Sequence, residues 1–297
     1  MSPASTEQFL LEQYTGHPAS QLQDLRKALY QSVFGCGHLI TDTSAAAEGI
    51  WKEAVEAGPC SREVETLDGP WSRVHLGVLA DGLTPETLAC MFARSAAMPH
   101  GGADTLQEKL TILRRLIRSG ALPYSPSEAE EELDDWQKNG FPACRHSEEY
   151  RAAYRPAYRV LHCTYVRLLP LLAAIDRTLK EKSRVLLAIE GGAASGKSTL
   201  AELLTAIYPD TVLFHADDFF LRPEQRTAAR YAQPGGNLDR ERLESEILAP
   251  ISRNEAAIYR PFDCHTLSLR EPMTVLPGRL NIVEGSYSFH PELAHYY

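Results

Sequence analysis

The sequence lacks the features of a membrane or secreted protein. No apolar run in its 297 residues approaches the roughly 20 that a membrane-spanning helix needs. The N-terminal stretch MSPASTEQFLLEQ has neither the basic start nor the apolar block of a secretion signal. We therefore expect a cytoplasmic protein that makes no membrane contact.

Positive charge is also scarce. The chain has 30 Lys and Arg residues against 39 Asp and Glu residues, which gives a formal net charge of -9. Nucleic-acid backbones attract surfaces on which Lys and Arg are clustered, so this balance argues against a broad nucleic-acid surface. A local basic pocket is compatible with it, and the sequence leaves open whether the chain forms a homo-oligomer.

Cysteine pairs of the kind that bind zinc are missing. The chain has 6 cysteines without a CxxC spacing, which structural zinc sites favour. In a reducing cytosol such thiols stay free, and we expect several to be buried as small apolar groups. The cysteines are Cys36, Cys60, Cys90, Cys144, Cys163 and Cys264.

Two halves with different patterns meet near residue 180. Apolar residues in 1–180 recur mainly at helical spacing, and only WSRVHLGVLA (71–80) alternates like a strand. Thr84 and Asp104 are predicted N-caps. The predicted helices include 19–34, 84–96, 104–120 and 158–182, the last kinked or interrupted at Pro170. We predict a mainly helical domain of unknown role over 1–180.

From residue 183 onward, strands alternate with helices. Near-continuous apolar strands are predicted at 183–190, 211–216 and 279–285. Helices are predicted at 197–208 and at 239–251, the second capped by Asp239. Buried strands separated by helices indicate a parallel sheet covered on both faces. The fold class we predict for 181–297 is therefore α/β, a parallel sheet with flanking helices.

A phosphate-binding loop lies between the first of these strands and its helix. Gly191, Gly196, Lys197 and Ser198 fit the pattern G-x-x-x-x-G-K-[ST]. Glycines let backbone N–H groups point at phosphate oxygens, the lysine adds a positive charge, and the serine hydroxyl ligates Mg²⁺. We predict a P-loop that binds ATP or a similar triphosphate. Its residues are Gly191, Gly192, Ala193, Ala194, Ser195, Gly196, Lys197, Ser198 and Thr199.

Carboxylates follow the other two predicted strands. Glu284 ends one of them, where it would hold Mg²⁺ or a water bound to it; a solvated charge at the strand end is the alternative. Asp217 and Asp218 follow the strand 211–216, at the edge where ligands of open α/β sheets bind. A carboxylate there would accept a proton from an attacking hydroxyl. The alternative is an Asp pair that forms a turn and caps a helix.

Five blocks in 183–297 together resemble the uridine kinase and phosphoribulokinase-like P-loop kinases. They are GGAASGKSTLAELL, HADDFF, PGGNLDRERLESEIL, YRPFDC and IVEGSYSFHPEL. The resemblance implies that ATP and Mg²⁺ are used to phosphorylate a hydroxyl group of a small molecule. It also implies that Asp217 activates this hydroxyl, that Lys197 acts on the phosphates, and that Glu284 lies on the metal side.

The same resemblance implies an acceptor-binding region. Phe220 takes the place of an aromatic residue that packs beside the acceptor. The segment YRPFDCHT would supply further contacts, although its spacing is off by about one residue, and a surface loop is the alternative for its histidine. The residues implied are Tyr259, Phe262, Asp263 and His265.

The chain departs from the family pattern in two places. An acidic residue that holds ribose hydroxyls in uridine kinases corresponds to a position near Ala232, which puts uridine itself in doubt. Arg222 or Arg226 would instead meet an acceptor with negative charge, unless both belong to a solvated loop. The family also continues into a further strand and an arginine-bearing lid, so we expect 181–297 to represent a truncated domain.

In the first half, residues 140–160 are dense in His, Arg and Tyr. These side chains either line an acceptor or regulatory pocket or form an interface or a buried polar network. The ones concerned are Arg145, His146, Tyr150, Tyr154 and Arg159. His38, which follows two glycines, is interpreted as a loop residue.

Two functions from different classes remain. The first is a small-molecule kinase that uses ATP and Mg²⁺ to phosphorylate a hydroxyl acceptor. The second is a nucleotide-binding sensor or scaffold in which the P-loop binds ATP or GTP without phosphoryl transfer. Acceptor-dependent consumption of ATP distinguishes them.

Overall fold

The structure is a computed structural model that describes residues 5–36, 40, 42–59 and 61–297. His38 and Cys60, for which we made predictions above, lie outside the described residues. Contacts within the chain divide it into two compact units, Met1–Asp176 and Arg177–Tyr297. Each unit is described separately below.

The first unit combines helices with a small antiparallel sheet. Its helices are α1 (Thr6–Gly16), α2 (Leu22–Phe34), α3 (Thr43–Ala57), α4 (Pro85–Ala96), α5 (Ala103–Arg118), α6 (Pro126–Lys138), α7 (Glu148–Tyr154) and α8 (Cys163–Val166), with α9 (Leu169–Glu181) leading into the second unit. Its strands are β1 (Val64–Thr66), β2 (Trp71–His75) and β3 (Tyr158–His162).

The helix predicted over 158–182 is wrong at its start. Residues Tyr158–His162 form β3, which pairs antiparallel with β2 from His75↔Tyr158 to Trp71↔His162. β1 covers the other side of β2, which is buried along most of its length. The segment YRVLH is rich in residues that suit a pleated surface, and pairing with β2 buries Val160 and Leu161. Tertiary pairing therefore overrides the helical spacing that continues into α9.

The core of this unit lies among α1, α2, α5 and α6. Leucines spaced three or four positions apart make one face of α5 apolar, and those at 106, 110 and 113 are fully buried. Gly102, and not Asp104, is the N-cap of this helix, so Asp104 lies in its first turn. Thr84 caps α4 as predicted, because its hydroxyl accepts a hydrogen bond from the Thr87 N–H.

The second unit has a parallel sheet with helices. Its main strands are β4 (Val185–Ile189), β5 (Thr211–His215) and β10 (Leu280–Glu284), and short strands lie between the last two: β6 (Ala257–Tyr259), β7 (Phe262–Asp263), β8 (Ser268–Leu269) and β9 (Met273–Val275). Its helices are α10 (Lys197–Ile207), α11 (Ala228–Tyr231), α12 (Arg240–Leu243) and α13 (Ala249–Ser252). A π-helical segment, Glu244–Leu248, joins the last two.

The three main strands are parallel in the order β4-β10-β5, which confirms the predicted strands and their direction. β10 is central and buried throughout, as its run of apolar residues requires. Its last residue, Glu284, is in register with Ile189 of β4 and His215 of β5. The carboxyl ends of all three strands therefore meet at one edge of the sheet.

The predicted helix after Asp239 is also present. The Asp239 carboxylate accepts a hydrogen bond from the Arg242 N–H at 3.2 Å and caps α12. Its other oxygen accepts one from the Gln225 side chain at 2.9 Å, which ties the loop before the helix to the helix start. Within the described residues, no helix is both long and apolar enough to cross a membrane.

Candidate nucleotide site

The glycine-rich loop connects β4 to α10 at the carboxyl edge of the sheet. Ala194 (φ 57°) and Gly196 (φ 86°) are both left-handed, which curls the loop just before α10 begins at Lys197. Left-handed residues in such a turn direct backbone N–H groups toward one point, and the N-terminus of the helix adds its positive partial charge there. α10 is anchored below by buried Ala201, Leu204 and Ile207. The loop is thus a tight turn at the N-terminus of a packed helix, an arrangement suited to an anion.

Gly191 lies close to a serine side chain of the same loop. A Cβ at Gly191 would lie 2.7 Å from the Ser195 Oγ, whereas one at Gly192 would have no neighbour within 4 Å. The Lys197 ammonium donates a hydrogen bond back to the Gly192 carbonyl at 2.8 Å. The side chain therefore lies across the loop, within reach of a phosphate group that the N–H groups would bind.

Glu284 and Ser198 come together below the loop. Glu284 is 7% exposed, and its Oε2 lies 3.3 Å from the Ser198 hydroxyl, which donates to it. Its Oε1 lies 2.7 Å from the Nδ1 of His215. The buried carboxylate is thus held by one group on α10 and one on β5, with its second oxygen facing the start of the P-loop helix.

His215 was missed as a site residue by sequence reasoning. It is the last residue of β5, and the register pairs it with Glu284 across the sheet edge. The available signal was its position at the end of a predicted strand, two residues before Asp217. We had assigned function only to the aspartates that follow it, because a lone histidine at a strand end has no distinctive pattern.

This set of side chains suits a magnesium ion with a triphosphate. Mg²⁺ prefers oxygen ligands and in nucleotide sites takes one or two from the protein and the rest from phosphates and water. Ser198 and Glu284 supply a hydroxyl and a carboxylate 3.3 Å apart at the loop. No cluster of three or more His, Cys, Asp or Glu side chains suited to a metal occurs among the described residues, so an all-protein metal cage is not what this site offers.

The segment after β10 is tied to the P-loop by three hydrogen bonds. Gly285 N–H donates to the Ile189 carbonyl at 3.1 Å, and the Ser286 hydroxyl donates to the Gly191 carbonyl at 3.2 Å. The Phe289 N–H donates to the Glu190 carboxylate at 2.8 Å. The segment after β10 therefore holds the end of β4 and the first residues of the loop in place.

The two aspartates after β5 differ in their surroundings. They lie in a 3-10 turn, Ala216–Phe219, in which Asp217 is exposed and Asp218 is half-buried. Burial raises the pKa of the Asp218 carboxyl, partly offset by His215 and Arg270 nearby. Asp217 is the one open to an acceptor molecule.

The aromatic residues assigned to the acceptor lie mostly in the core. Tyr259 is 6% exposed and stacks on Phe219 at a centroid distance of 5.6 Å, and burial raises the pKa of its phenol. Phe262 is buried as well, whereas Phe220 is half-buried and pairs with Leu238 through a β-bridge. Tyr259 and Phe262 thus support the floor under the Asp217 turn.

The remaining acceptor candidates lie in a turn and in an exposed loop. Asp263 accepts a hydrogen bond from the His265 N–H at 2.8 Å and pairs with Arg270 at 3.2 Å, which shapes the turn that carries the exposed His265 ring. Arg222 pairs with Glu224 at 3.4 Å. The Arg226 guanidinium lies 5.7 Å from the Phe262 ring centroid, so this arginine packs against the Phe262 ring.

The cluster at 140–160 in the first unit divides between two cavities. Arg145, His146 and Arg159 line one of about 450 Å³. Tyr150 and Tyr154, whose rings contact each other at 4.8 Å as their helical spacing predicts, line another of about 500 Å³. The five residues therefore do not share one pocket.

Comparison with known proteins gives little to set beside this geometry. No family model matches the chain, and no curated protein matches it significantly. Among solved structures, it is similar to that of a possible uridine kinase from Bacillus stearothermophilus at 21% identity and a TM-score of 0.35. The match covers 43% of this chain and 77% of the other. Such a low TM-score carries no weight, so the functional conclusion below rests on the loop and its neighbours.

Proposed function

We propose that Arg177–Tyr297 binds a nucleoside triphosphate with Mg²⁺ and transfers its terminal phosphoryl group to a hydroxyl of a small molecule. The observation that carries the proposal is the meeting of Ser198 and Glu284 at 3.3 Å beside the glycine loop. A loop alone would bind phosphate, whereas a buried carboxylate aimed at the loop serine adds the ligand that a metal–triphosphate complex needs.

Each group in the site has a physical role. Backbone N–H groups of 191–198 bind phosphate oxygens, and Lys197 exchanges the Gly192 carbonyl for a phosphate oxygen. Ser198 and Glu284 hold Mg²⁺, which neutralises charge on the phosphates when bound. His215 keeps one Glu284 oxygen occupied at 2.7 Å, so that the other faces Ser198.

Asp217 acts on the acceptor in this proposal. As the acceptor oxygen bonds to phosphorus and the bond to the leaving oxygen breaks, the hydroxyl proton passes to the Asp217 carboxylate. Asp217 suits this role because it is exposed at the carboxyl edge of the sheet, two residues beyond His215. Arg222 and His265 are the exposed or half-exposed candidates for contact with the acceptor.

The test is a screen for acceptor-dependent consumption of ATP with nucleosides, pentose phosphates, pantothenate and glycerate. We expect one class to be phosphorylated, and Asp217→Asn to slow the transfer by about a hundred-fold or more. Asp218→Asn, the same change at the neighbouring, half-buried position, serves as the matched control and should retain most of the activity.

Two results would refute this function. Equal loss of activity in both variants would remove the special role of Asp217. Tight ATP binding without turnover of any acceptor would favour the sensor or scaffold, in which nucleotide changes the affinity for a partner and no phosphoryl group is transferred.

A further inference from the structure

A second concave surface lies in the first unit, far along the sequence from the P-loop. It is the cavity of about 450 Å³ next to β3, lined in part by residues of α2, α7 and the segment before α7. Four of its lining side chains are cationic, and Glu53 is the carboxylate among its described lining residues. The cationic ones are Lys27, Arg145, Arg151 and Arg159.

Only one of these cations has a carboxylate partner in the described part of the chain. Arg159 pairs with Glu53 at 2.7 Å and lies against the Phe92 ring. The Lys27 ammonium donates instead to the Cys144 carbonyl at 3.0 Å, and Arg145 and Arg151 are exposed. Since Glu53 is engaged by Arg159, Lys27, Arg145 and Arg151 line the cavity without an ion-pair partner among the described residues, in a chain whose net charge is -9.

The wall of the cavity is a fixed polar network. His146 contacts the Asp24 carboxylate at 2.8 Å through Nδ1 and the Tyr158 hydroxyl at 2.6 Å through Nε2. Asp24 also accepts hydrogen bonds from the Ser147 N–H and hydroxyl, at 3.0 and 2.6 Å. With its oxygens engaged by these groups, Asp24 is a structural anchor of the wall and does not line the cavity.

A further cation lies behind this wall. Arg73 is 1% exposed and pairs with Glu65 at 3.0 Å through Nη1, whereas its Nη2 lacks a hydrogen-bond partner among the described residues. Its guanidinium lies 5.1 Å from the Tyr158 ring centroid. Burial lowers the pKa of Lys27, and the charges of Arg73 and Arg151 lower it further, whereas Cys144 and Asp24 act in the opposite direction. The charges that line the cavity are therefore mostly positive, and that of Arg151 disfavours the protonated form of Lys27.

We propose that this cavity is a binding site for a small molecule that bears a phosphoryl group, held by Lys27, Arg145 and Arg151. A phosphate monoester carries between one and two negative charges near neutral pH and three acceptor oxygens. Its charge and its acceptors suit a site with three cationic side chains. Guanidinium groups bind phosphate in a bidentate manner, and the lysine adds a point charge at the base. This site is independent of the P-loop and of the function proposed for the second unit.

The test uses the position of the tryptophans. The chain has 3, and all of them, Trp51, Trp71 and Trp136, lie in the first unit, so their fluorescence reports its unfolding. Inorganic phosphate at constant ionic strength should raise the fluorescence-monitored midpoint of thermal unfolding of the full chain, because a ligand of the folded state stabilises it. The double variant Arg145→Gln/Arg151→Gln should weaken phosphate binding roughly ten-fold or more.

The matched control removes the same charge from the same unit. Arg115→Gln/Arg118→Gln changes two exposed arginines on α5, outside the cavity, and should leave the response to phosphate unchanged. A midpoint that does not respond to phosphate in the wild type, or that responds equally in both double variants, would overturn the proposal. A second comparison uses glycerol 3-phosphate and lactate. If lactate raised the midpoint as much as glycerol 3-phosphate, a carboxylate would bind as well as a phosphoryl group, and the proposal would be overturned.

Discussion

At the scale of single residues, His146 shows how burial sets chemistry in the first unit. It is nine-tenths buried, stacks on Tyr150 at a centroid distance of 4.1 Å, and contacts Asp24 and Tyr158. Burial lowers its pKa to about 4, although the hydrogen bond that Asp24 accepts from the ring acts in the opposite direction. The ring is therefore neutral at physiological pH and accepts the Tyr158 hydroxyl proton in a hydrogen bond.

This lowered pKa predicts how stability depends on pH. An imidazole in the unfolded chain titrates near pH 6.5, so between that value and about 4 the unfolded state binds more protons than the folded state. The stabilisation is complete above the unfolded value and is lost as the pH falls through this window, by up to about 3 kcal/mol. Urea unfolding followed by tryptophan fluorescence at neutral and mildly acidic pH measures it.

The matching variants isolate the contribution of this ring. His146→Gln removes the titration and should make the free energy of unfolding less dependent on pH between the two conditions. His100→Gln, which removes an exposed imidazole in the same unit, should keep the wild-type dependence. An unchanged dependence in His146→Gln would mean that other groups cause the acid sensitivity.

At the scale of elements, β4, β5 and β10 end together at one edge of the sheet, where we propose the nucleotide site. Gly285 lies at the end of β10 with φ 148°, where a Cβ would lie 2.5 Å from that of Ala216 after β5. A side chain there would push apart the two strand ends that hold Glu284 and His215. The close approach of backbones at this point explains why glycine follows Glu284.

Gly285→Ala should therefore weaken the site through the sheet edge. We expect a loss of about 2 kcal/mol or more in the stability of the second unit from the clash and the backbone strain. Gly192→Ala, for which the added methyl group meets nothing within 4 Å, is the matched control and should cost less. Hydrogen exchange of the β10 amides measures both, and equal protection in the two variants would contradict this account of the edge.

Elements with a local signal could be predicted from the sequence. The segments that form β4, β5 and β10 are near-continuous apolar runs, and the glycine loop has a fixed spacing, so the sequence alone predicts their types and order. β3 could not be predicted, because YRVLH becomes a strand only by pairing with β2. The Glu284–His215 contact likewise depends on the register between two strands that are distant in sequence.

At the scale of the whole molecule, the chain carries two compact units with different chemistry. Although the net charge of the chain is -9, cations outnumber carboxylates around one cavity of the first unit, and the second unit carries the glycine-rich loop that we propose binds phosphate. The net charge argues against a broad basic surface but does not show how a few side chains group in space. Both sites that we propose bind phosphate groups, although they use different elements and different kinds of donor.

The measurement that tests the central claim most directly is calorimetric titration of the chain with ATP, with and without Mg²⁺. We expect binding that Mg²⁺ strengthens, an affinity at least about ten-fold lower in Lys197→Ala, and a smaller effect of Mg²⁺ in Glu284→Gln. Lys182→Ala, which removes an exposed lysine outside the loop, should bind ATP like the wild type. If ATP did not bind, or bound Lys197→Ala and Lys182→Ala with equal affinity, the loop would not be the nucleotide site that we describe.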